Sequence, residues 1–372
     1  MKKTVFPLAV AAPQVGAQSE TFIRRHMENL LPDSTVILTG NISGPYAGHW
    51  QVAAPTKVCN PSLPSTGIKG KIRSYLNKRS IQQFLRDHKV DVILGEYLNY
   101  SYGYFLLAQE FGIPYFAHAH GADISAALKQ PQWQEAYPRY QDSAGLITMS
   151  AASRNRLVDF GFAADKVHVV PYGVNVPDEP IQRVDKSFVS CLAVGRMVPK
   201  KAPIILLEAF RQASLTFPNL RLDYVGAGAL LPAAKQYIHV FGLDGKVTLH
   251  EGLPNQKVQE LMREADIFLQ HSMTDPDSGD EEGLPVAILE AMAHALPVVS
   301  TFHAGIPEAV EQGKTGFLFA EGDFAGMAQG IVDLAKDFEL RSEMGSSGWQ
   351  RAKERFTWER EREDLLNVLG LK

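Results

Sequence analysis

The sequence predicts an α/β protein of two doubly wound domains, each a parallel sheet with helices on both faces, closed by a helical clasp at the carboxyl end. Three observations carry this. At about 150 residues per domain, 372 residues are too many for one core and suit two to three domains. Short apolar runs alternate with helical periodicities along the whole chain, the pattern of βα units feeding parallel sheets. The alternation stops once, at Tyr172-Gly173-Val174-Asn175-Val176-Pro177-Asp178-Glu179-Pro180, where turn formers and polar residues read as a linker, and then restarts. The predicted domains are residues 1–178 and 179–340, followed by the clasp, 341–372.

The first strand is expected at 5–11. Lys2 and Lys3 ahead of an apolar run also imitate a secretion signal, but Pro7 and the shortness of the run favour a buried strand emptying into the loop Pro13-Gln14-Val15-Gly16-Ala17. Strands follow at 34–38, 90–94, 114–119, 145–150 and 167–170, with helices at 21–31, 72–86, 102–111 and 151–160 between them. After the linker, strands are expected at 188–194, 221–225, 246–249, 267–270, 297–300 and 316–319, and helices at 202–216, 230–241, 256–264, 285–295 and 324–336. The segment 341–369 is strongly charged but carries apolar Phe356, Trp358, Leu365, Leu366 and Leu369, which suits a clasp and not a third domain. Two such sheets leave a cleft at their carboxyl edges, where ligands of doubly wound folds bind.

With 45% hydrophobic and 21% charged residues, the chain is neither disordered nor fibrous. No run of about 18 apolar residues offers a membrane-crossing helix. Cys59 and Cys191 belong to no framework of spacings, read as packing residues and fit a reducing cytoplasm. The net charge of −4 excludes a strongly basic nucleic-acid binder. Most of the basic excess sits in 68–89, where Lys69, Lys71, Arg73, Lys78, Arg79, Arg86 and Lys89 stand against the single acid Asp87. Ile68, Ile72, Tyr75, Leu76, Ile81, Phe84 and Leu85 recur there mostly at helical spacing. Such a helix suits an anionic membrane surface, at about 1 kcal/mol per cation, or an ordinary solvated face; both readings stay open.

The most informative stretch is Asp280-Glu281-Glu282-Gly283-Leu284, followed by a helix in which Pro285 suits an early position and Val286-Ala287-Ile288-Leu289-Glu290-Ala291-Met292-Ala293 continues. Glu290 is the one polar side chain of that helix, expected in apolar surroundings, where a carboxylate needs hydrogen bonds such as a ribose diol supplies. Glu282 precedes the helix start, where the amides of Gly283 and Leu284 are open to an anion. The rival reading is a capping glutamate and a solvated acidic turn. A second constellation follows the first strand of the same half: Arg196 leaves the strand end and Lys201 reaches the next helix. Cations preorganised there stabilise a diphosphate as its bond breaks, although a loop Arg and Lys are also ordinarily solvated.

In this order the pieces resemble the retaining nucleotide-sugar glycosyltransferases of family 4, whose two Rossmann-like domains form the fold called GT-B. The resemblance spans the chain: Ser19-Glu20-Thr21-Phe22, His120-Gly121-Ala122-Asp123, Val170-Pro171-Tyr172-Gly173-Val174-Asn175, Gly195-Arg196 with Lys201, Glu282 and Glu290 spaced E-x7-E, Pro297-Val298-Val299, Gly305-Ile306-Pro307-Glu308 and Gly313-Lys314-Thr315-Gly316. It implies that Arg196 and Lys201 hold the donor diphosphate, Glu290 the ribose, and Glu282 with the Gly283-Leu284-Pro285 backbone the transferred sugar. It further implies that His120 lines the cleft beside that sugar and that the loop at Gly16, the single glycine left where the family often has pairs, closes over the phosphates. Ser-Glu-Thr-Phe is similar to the exopolysaccharide and lipopolysaccharide branch.

Three rival site readings are weaker. His118 and His120 alternate on one strand face and could be two metal ligands, but no third histidine or cysteine motif stands nearby to complete a zinc site. Asp275-Pro276-Asp277 imitates a metal-binding Asp-x-Asp yet reads better as a polar loop. Gly226-Ala227-Gly228 lacks the third glycine and later acid of a dinucleotide fingerprint, and is expected to give room for base and ribose. The expected reaction is therefore transfer of a sugar from a nucleotide-diphosphate donor, with uridine favoured, to a saccharide or lipid-linked acceptor. Configuration is retained and neither metal nor cofactor is needed. The alternatives are a nucleotide-sugar epimerase of the same fold and a non-catalytic nucleotide-sugar binding module.

Overall fold

A computed structural model describes residues 6–16, 20–42, 53–59 and 68–372, with backbone alone for 68–75. Ser19, Lys2, Lys3, Val5 and the side chains of Lys69, Lys71 and Arg73 lie outside the described residues. The chain divides into two compact units, one of Met1–Met149, Ser153–Val170 and Arg362–Lys372, the other of Ser150–Ala152 and Pro171–Glu361. The expected boundary at 178 thus falls at Pro171, and the segment 341–372 is shared between the units.

In the first unit β1 (Leu8–Val15), β2 (Thr35–Ile42), β3 (Thr56–Val58), β4 (Val92–Glu96), β5 (Tyr115–His118), β6 (Gly145–Thr148) and β7 (Val167–Val169) form a parallel sheet in the order β3-β2-β1-β4-β5-β6-β7. Its helices are α1 (Thr21–Asn29), α2 (Ile68–His88), α3 (Leu98–Phe111), α4 (Pro131–Ala136) and α5 (Ala151–Phe160). The period of two in β1 decides both faces. Leu8, Val10 and Ala12 pack with Ile23 and Met27 of α1, while Ala9 and Ala11 face Leu85 of α2 and Phe105 of α3. β1 runs on through Pro13, beyond its expected end. Its pairing with β4 stops at Ala11, so the proline removes no hydrogen bond on that side.

The second unit repeats the plan. β8 (Val189–Val194), β9 (Leu220–Val225), β10 (Val247–His250), β11 (Ile267–Leu269), β12 (Val298–Thr301) and β13 (Gly316–Phe319) lie parallel in the order β10-β9-β8-β11-β12-β13. Around them stand α6 (Pro203–Thr216), α7 (Leu231–Val240), α8 (Asn255–Glu264), α9 (Val286–Ala293), α10 (Ile306–Ala309), α11 (Phe324–Lys336) and α12 (Phe338–Arg355). In each sheet the strand order reverses once, between β1 and β4 and between β8 and β11, which is where the carboxyl edge of a doubly wound sheet opens for ligands.

The clasp is two helices. Asp337 accepts the Leu340 N–H at 2.9 Å and starts α12 ahead of the expected 341. α12 closes on buried Phe356, and α13 (Trp358–Leu369) follows. Leu365, Leu366 and Leu369 of α13 join the α1 side of the first sheet's core. Among the described residues no helix is long and apolar enough to cross a membrane. Cys191 is buried in the second core and Cys59 is half-buried beside the Tyr104 hydroxyl, both as thiols.

Candidate functional site

The second switch point is furnished by the two loops that leave β8 and β11. Gly195 and exposed Arg196 follow β8, and a 3₁₀ turn, Pro199–Lys201, carries Lys201 to the start of α6. Ala202, next to it, is held at φ +37°, a left-handed conformation that costs a non-glycine residue of order 1 kcal/mol or more. From the other loop, the Glu282 carboxylate meets the Lys201 ammonium at 3.1 Å and lies 3.8 Å from that of Lys200. Burial pushes the Glu282 carboxyl up, but Lys201 and Lys200 beside it hold it below its ordinary value. Burial likewise lowers Lys201, with Lys200 and Arg196 pressing on the same ammonium and Glu282 opposing them. Three cations and a buried carboxylate are thus gathered where the strand order reverses.

The loop itself is stapled from several sides. Lys200, buried, donates to Asp280 Oδ1 and to the Glu281 carbonyl, both at 3.0 Å. Asp275 accepts the Asp277 N–H at 3.1 Å and the Ser278 hydroxyl. The Asp275-Pro276-Asp277 run is in this way a turn whose first carboxylate closes the loop on itself. The amide of Glu282 donates to His303 Nε2 at 3.1 Å, and Gly305 N–H donates to the Gly283 carbonyl at 3.0 Å. Gly283, Leu284 and Pro285 are buried, and Pro285 is the residue just before α9 rather than its first turn.

Two expectations change here. Glu290 is half-buried, not stranded in an all-apolar helix: Val286 and Ala287 are also half-buried, and Gln259 Nε2 of α8 donates to Glu290 Oε1 at 3.1 Å. Gly226 and Gly228 make room for the chain itself. A Cβ on Gly226 would lie 1.9 Å from the Gly195 carbonyl oxygen, and one on Gly228 2.4 Å from that of Met197. Met197 N–H donates to the Ala227 carbonyl at 2.9 Å. The two glycines let the β9 exit press against the β8 exit and fix the strand of backbone that bears Arg196.

In the first unit, Gly16 follows β1, buried and at φ +98°, a conformation open to glycine. His120 lies beyond β5 and reaches a group that sequence reasoning missed, Glu96 at the end of β4. Glu96 is fully buried, with Oε1 2.7 Å from His26 Nδ1, and Oε2 2.7 Å from His120 Nε2 and 3.3 Å from His118 Nδ1. Burial raises its carboxyl, yet the surrounding imidazoles, His26 foremost, hold it well below the usual carboxylate range. His118 is pulled down to about 3 by burial and by His120 beside it. The expectation that no third ligand stands by His118 and His120 is therefore corrected in space: His26, Glu96 and His118 offer ligand atoms within 4.8 Å of one another. Hydrogen bonds about one carboxylate hold the group together.

Around it the local fold is built for position. Asp123 Oδ1 accepts the N–H groups of His120 and Gly121, at 2.9 and 3.0 Å, and Oδ2 that of Leu98 at the start of α3, at 2.9 Å. The His120 ring lies against Phe22 and Tyr97, with centroids 4.8 and 4.6 Å away. His120-Gly121-Ala122-Asp123 is thus one unit, the aspartate setting the turn that presents the histidine. Glu96 and His26 carried no sequence signal, since 70 positions separate them.

Comparison with known proteins agrees with this architecture. A family model described as "Glycosyl transferases group 1" matches residues 189–337, and one described as "Glycosyltransferase Family 4" matches residues 25–177. The amylovoran biosynthesis glycosyltransferase AmsK of Erwinia amylovora is 33% identical over 220 residues, which cover 58% of this chain and 54% of AmsK, so the chain spans about half the length of that relative. A GDP-mannose-dependent alpha-(1-6)-phosphatidylinositol monomannoside mannosyltransferase of Mycolicibacterium smegmatis is 28% identical over 269 residues, 68% of this chain and 69% of that protein. The crystal structure of Anabaena HepE in complex with UDP-glucose superposes with a TM-score of 0.81 at 18% identity, covering 98% of this chain and 99% of that one. The two parallel sheets are those of the GT-B fold. The two family models lie one on each sheet and together cover most of the sequence, and the chain belongs to the family 4 glycosyltransferases.

Proposed function

We propose that the protein transfers a sugar from a nucleoside-diphosphate sugar to a hydroxyl of a saccharide or lipid-linked acceptor, keeping the anomeric configuration and using no metal. The observation that carries the reading is the cluster of Arg196, Lys200, Lys201 and Glu282 at the β8–β11 switch point. Arg196 and Lys201 take the diphosphate, whose charge grows as the bond from the sugar C1 to the phosphate oxygen breaks. Charges fixed in advance stabilise that state more than the ground state. Glu290 accepts from the ribose hydroxyls, and Glu282 with the Gly283-Leu284-Pro285 backbone orients the sugar. From the first unit, His120 is assigned to the sugar and Gly16 to the phosphates on the family's pattern. Retention follows from attack on the departing face: the acceptor oxygen bonds to C1, and the leaving phosphate oxygen receives the acceptor's proton. The cations supply the countercharge that makes a divalent ion unnecessary.

A uridine donor is favoured by family likeness, and HepE was crystallised with UDP-glucose. The mycolicibacterial relative is named for GDP-mannose, so both nucleotides belong in the test. We assign the protein to the cytoplasmic side of the cell membrane, with α2 as its contact. Ile81 and Leu85 of α2 are committed to the core, while Leu76 is exposed and Lys78 pairs with Glu110. Exchange of Lys69, Lys71, Lys78 and Arg79 for Glu is expected to abolish sedimentation with anionic vesicles; undiminished sedimentation would dismiss the contact. For the reaction, release of nucleoside diphosphate from UDP-glucose and GDP-mannose is measured with and without added saccharide. Acceptor-dependent release, weakened by Glu290→Ala through a donor Kd raised roughly tenfold or more, is the expected result. Epimerisation of the donor alone selects an epimerase, and binding without release selects a binding module.

A further inference from the structure

A chain of side chains behind the Glu282 loop has no part in the reading above. His303, buried in the turn after β12, accepts the Glu282 amide at Nε2, 3.1 Å away. An amide N–H only donates, so Nε2 must carry a lone pair, and the ring proton sits on Nδ1. That Nδ1–H points at Glu321 Oε1, 2.6 Å away, and Glu321 Oε2 accepts the Thr274 N–H at 3.0 Å. Thr274 belongs to the same loop as Glu282. One histidine and one glutamate therefore tie both ends of the loop to the β13 exit, and the hydrogen bonds permit a single tautomer. The turn that presents His303 is itself strained and gripped. Ala304 sits at φ +46°, Gly305 donates to the Gly283 carbonyl, and a Cβ on Gly305 would lie 2.6 Å from that oxygen. Next door His271, fully buried, accepts the Gly322 N–H at Nε2, 3.0 Å, holding the Glu321-Gly322 corner in place.

We infer that His303, backed by Glu321, is a positioning residue for donor binding: it fixes the amide of Glu282 and with it the carboxylate that meets Lys201. The inference rests on the donor-site reading of Lys201 and Glu282, and its test separates the two. His303→Gln places a side-chain oxygen where Nε2 accepts, whereas His303→Asn keeps a donor toward Glu321 but does not reach the Glu282 amide. Two readouts are compared in both variants and the wild type: hydrogen exchange of the Glu282 amide, and the Kd of UDP-glucose or GDP-mannose, whichever the wild type binds more tightly. The expectation is that Asn speeds exchange and raises the Kd, each roughly fivefold or more, while Gln restores both to within about twofold and thermal midpoints stay close to the wild type. Exchange in the Asn variant equal to wild type overturns the inference. So does faster exchange with an unmoved Kd, and so does loss of cooperative folding in both variants, which would make the histidine a structural residue. If the wild type binds neither nucleotide sugar, the donor-site reading fails while exchange still decides whether His303 holds the loop.

Discussion

Glu282 and Lys201 form a pair whose proposed donor-site role has to be separated from its structural one. Their side chains are only 11% and 13% exposed, so the charges compensate each other largely out of water. Removing one member of such a pair leaves the other charge buried, which costs about 3 kcal/mol or more, although Lys200 close to Glu282 softens the loss. Lys201→Ala is therefore expected to lower the urea midpoint as well as turnover. Lys201→Met combined with Glu282→Gln should recover most of the stability and none of the activity. Recovery of both in the double variant would show the pair to be architectural only. Glu96 makes the corresponding case in the first unit, and its sign can be worked out. Its carboxyl lies well below 4.5 in the folded chain, so its contribution is complete above the ordinary carboxylate range and drains away as pH falls toward the folded value. His118, near 3 when folded against an ordinary 6.5, adds loss in the same direction, because from about 6.5 down to 3 the unfolded chain binds the proton that the folded chain refuses. Chemical unfolding at pH 7 and pH 4 should show a less stable protein at pH 4. Glu96→Gln should narrow that difference by up to about 0.8 kcal/mol, because pH 4 lies only about half a unit below the ordinary 4.5 and a full unit is worth about 1.4 kcal/mol. An unchanged difference would mean the carboxylate is not ionised against its histidines.

At the scale of elements, the site depends on how tightly the exits of β8 and β9 approach. Gly226→Ala brings a Cβ within 1.9 Å of the Gly195 carbonyl, which backbone must yield to accommodate. The expected result is a loss of roughly 1–3 kcal/mol, together with weaker nucleotide binding, because the displaced segment bears Arg196. A variant with normal stability and normal binding would show that this approach does not position the arginine. The elements themselves were legible where periodicity was long. The apolar run of Leu8 to Ala12 reads as a strand buried on both faces, and the helical face of α2 commits Ile81 and Leu85 to one of the two cores. β3 was not foreseen, since Thr56, Lys57 and Val58 are too few to alternate, and the 3₁₀ turns between Ala122 and Asp142 have no period to read. The same holds for the site. Arg196, Lys201, Glu282 and the Gly283-Leu284-Pro285 backbone lie in two short loops and were readable as motifs. Glu96 with His26, and His303 with Glu282 and Glu321, pair across 70, 21 and 18 positions, separations that only the crossover connections of a parallel sheet convert into contact. Glu290 was readable as a residue but not in its surroundings, because the Gln259 that partners it comes from a different helix.

For the whole molecule, charge is unevenly spread: residues 1–178 carry 17 Lys+Arg against 13 Asp+Glu, and residues 179–372 carry 20 against 28. Residues 179–372 are acidic in sum, yet the diphosphate reading requires an anion to bind there. Local preorganisation has to outweigh the net field: two largely buried lysines meet one carboxylate at the sheet edge with Arg196 beside Lys201, and affinity should fall with added salt less steeply than for a surface patch, since buried pairs are screened little. A ligand at 100 times its Kd adds about 2.7 kcal/mol to the stability of what it binds, well within reach of a thermal melt. The most direct measurement is calorimetric titration of UDP and GDP into the wild type and into Arg196→Ala. The account predicts that at least one of the two binds, and that the arginine substitution raises its Kd tenfold or more while the melting temperature without ligand is unmoved. Binding of neither nucleotide, or equal affinity in the two proteins, would contradict it.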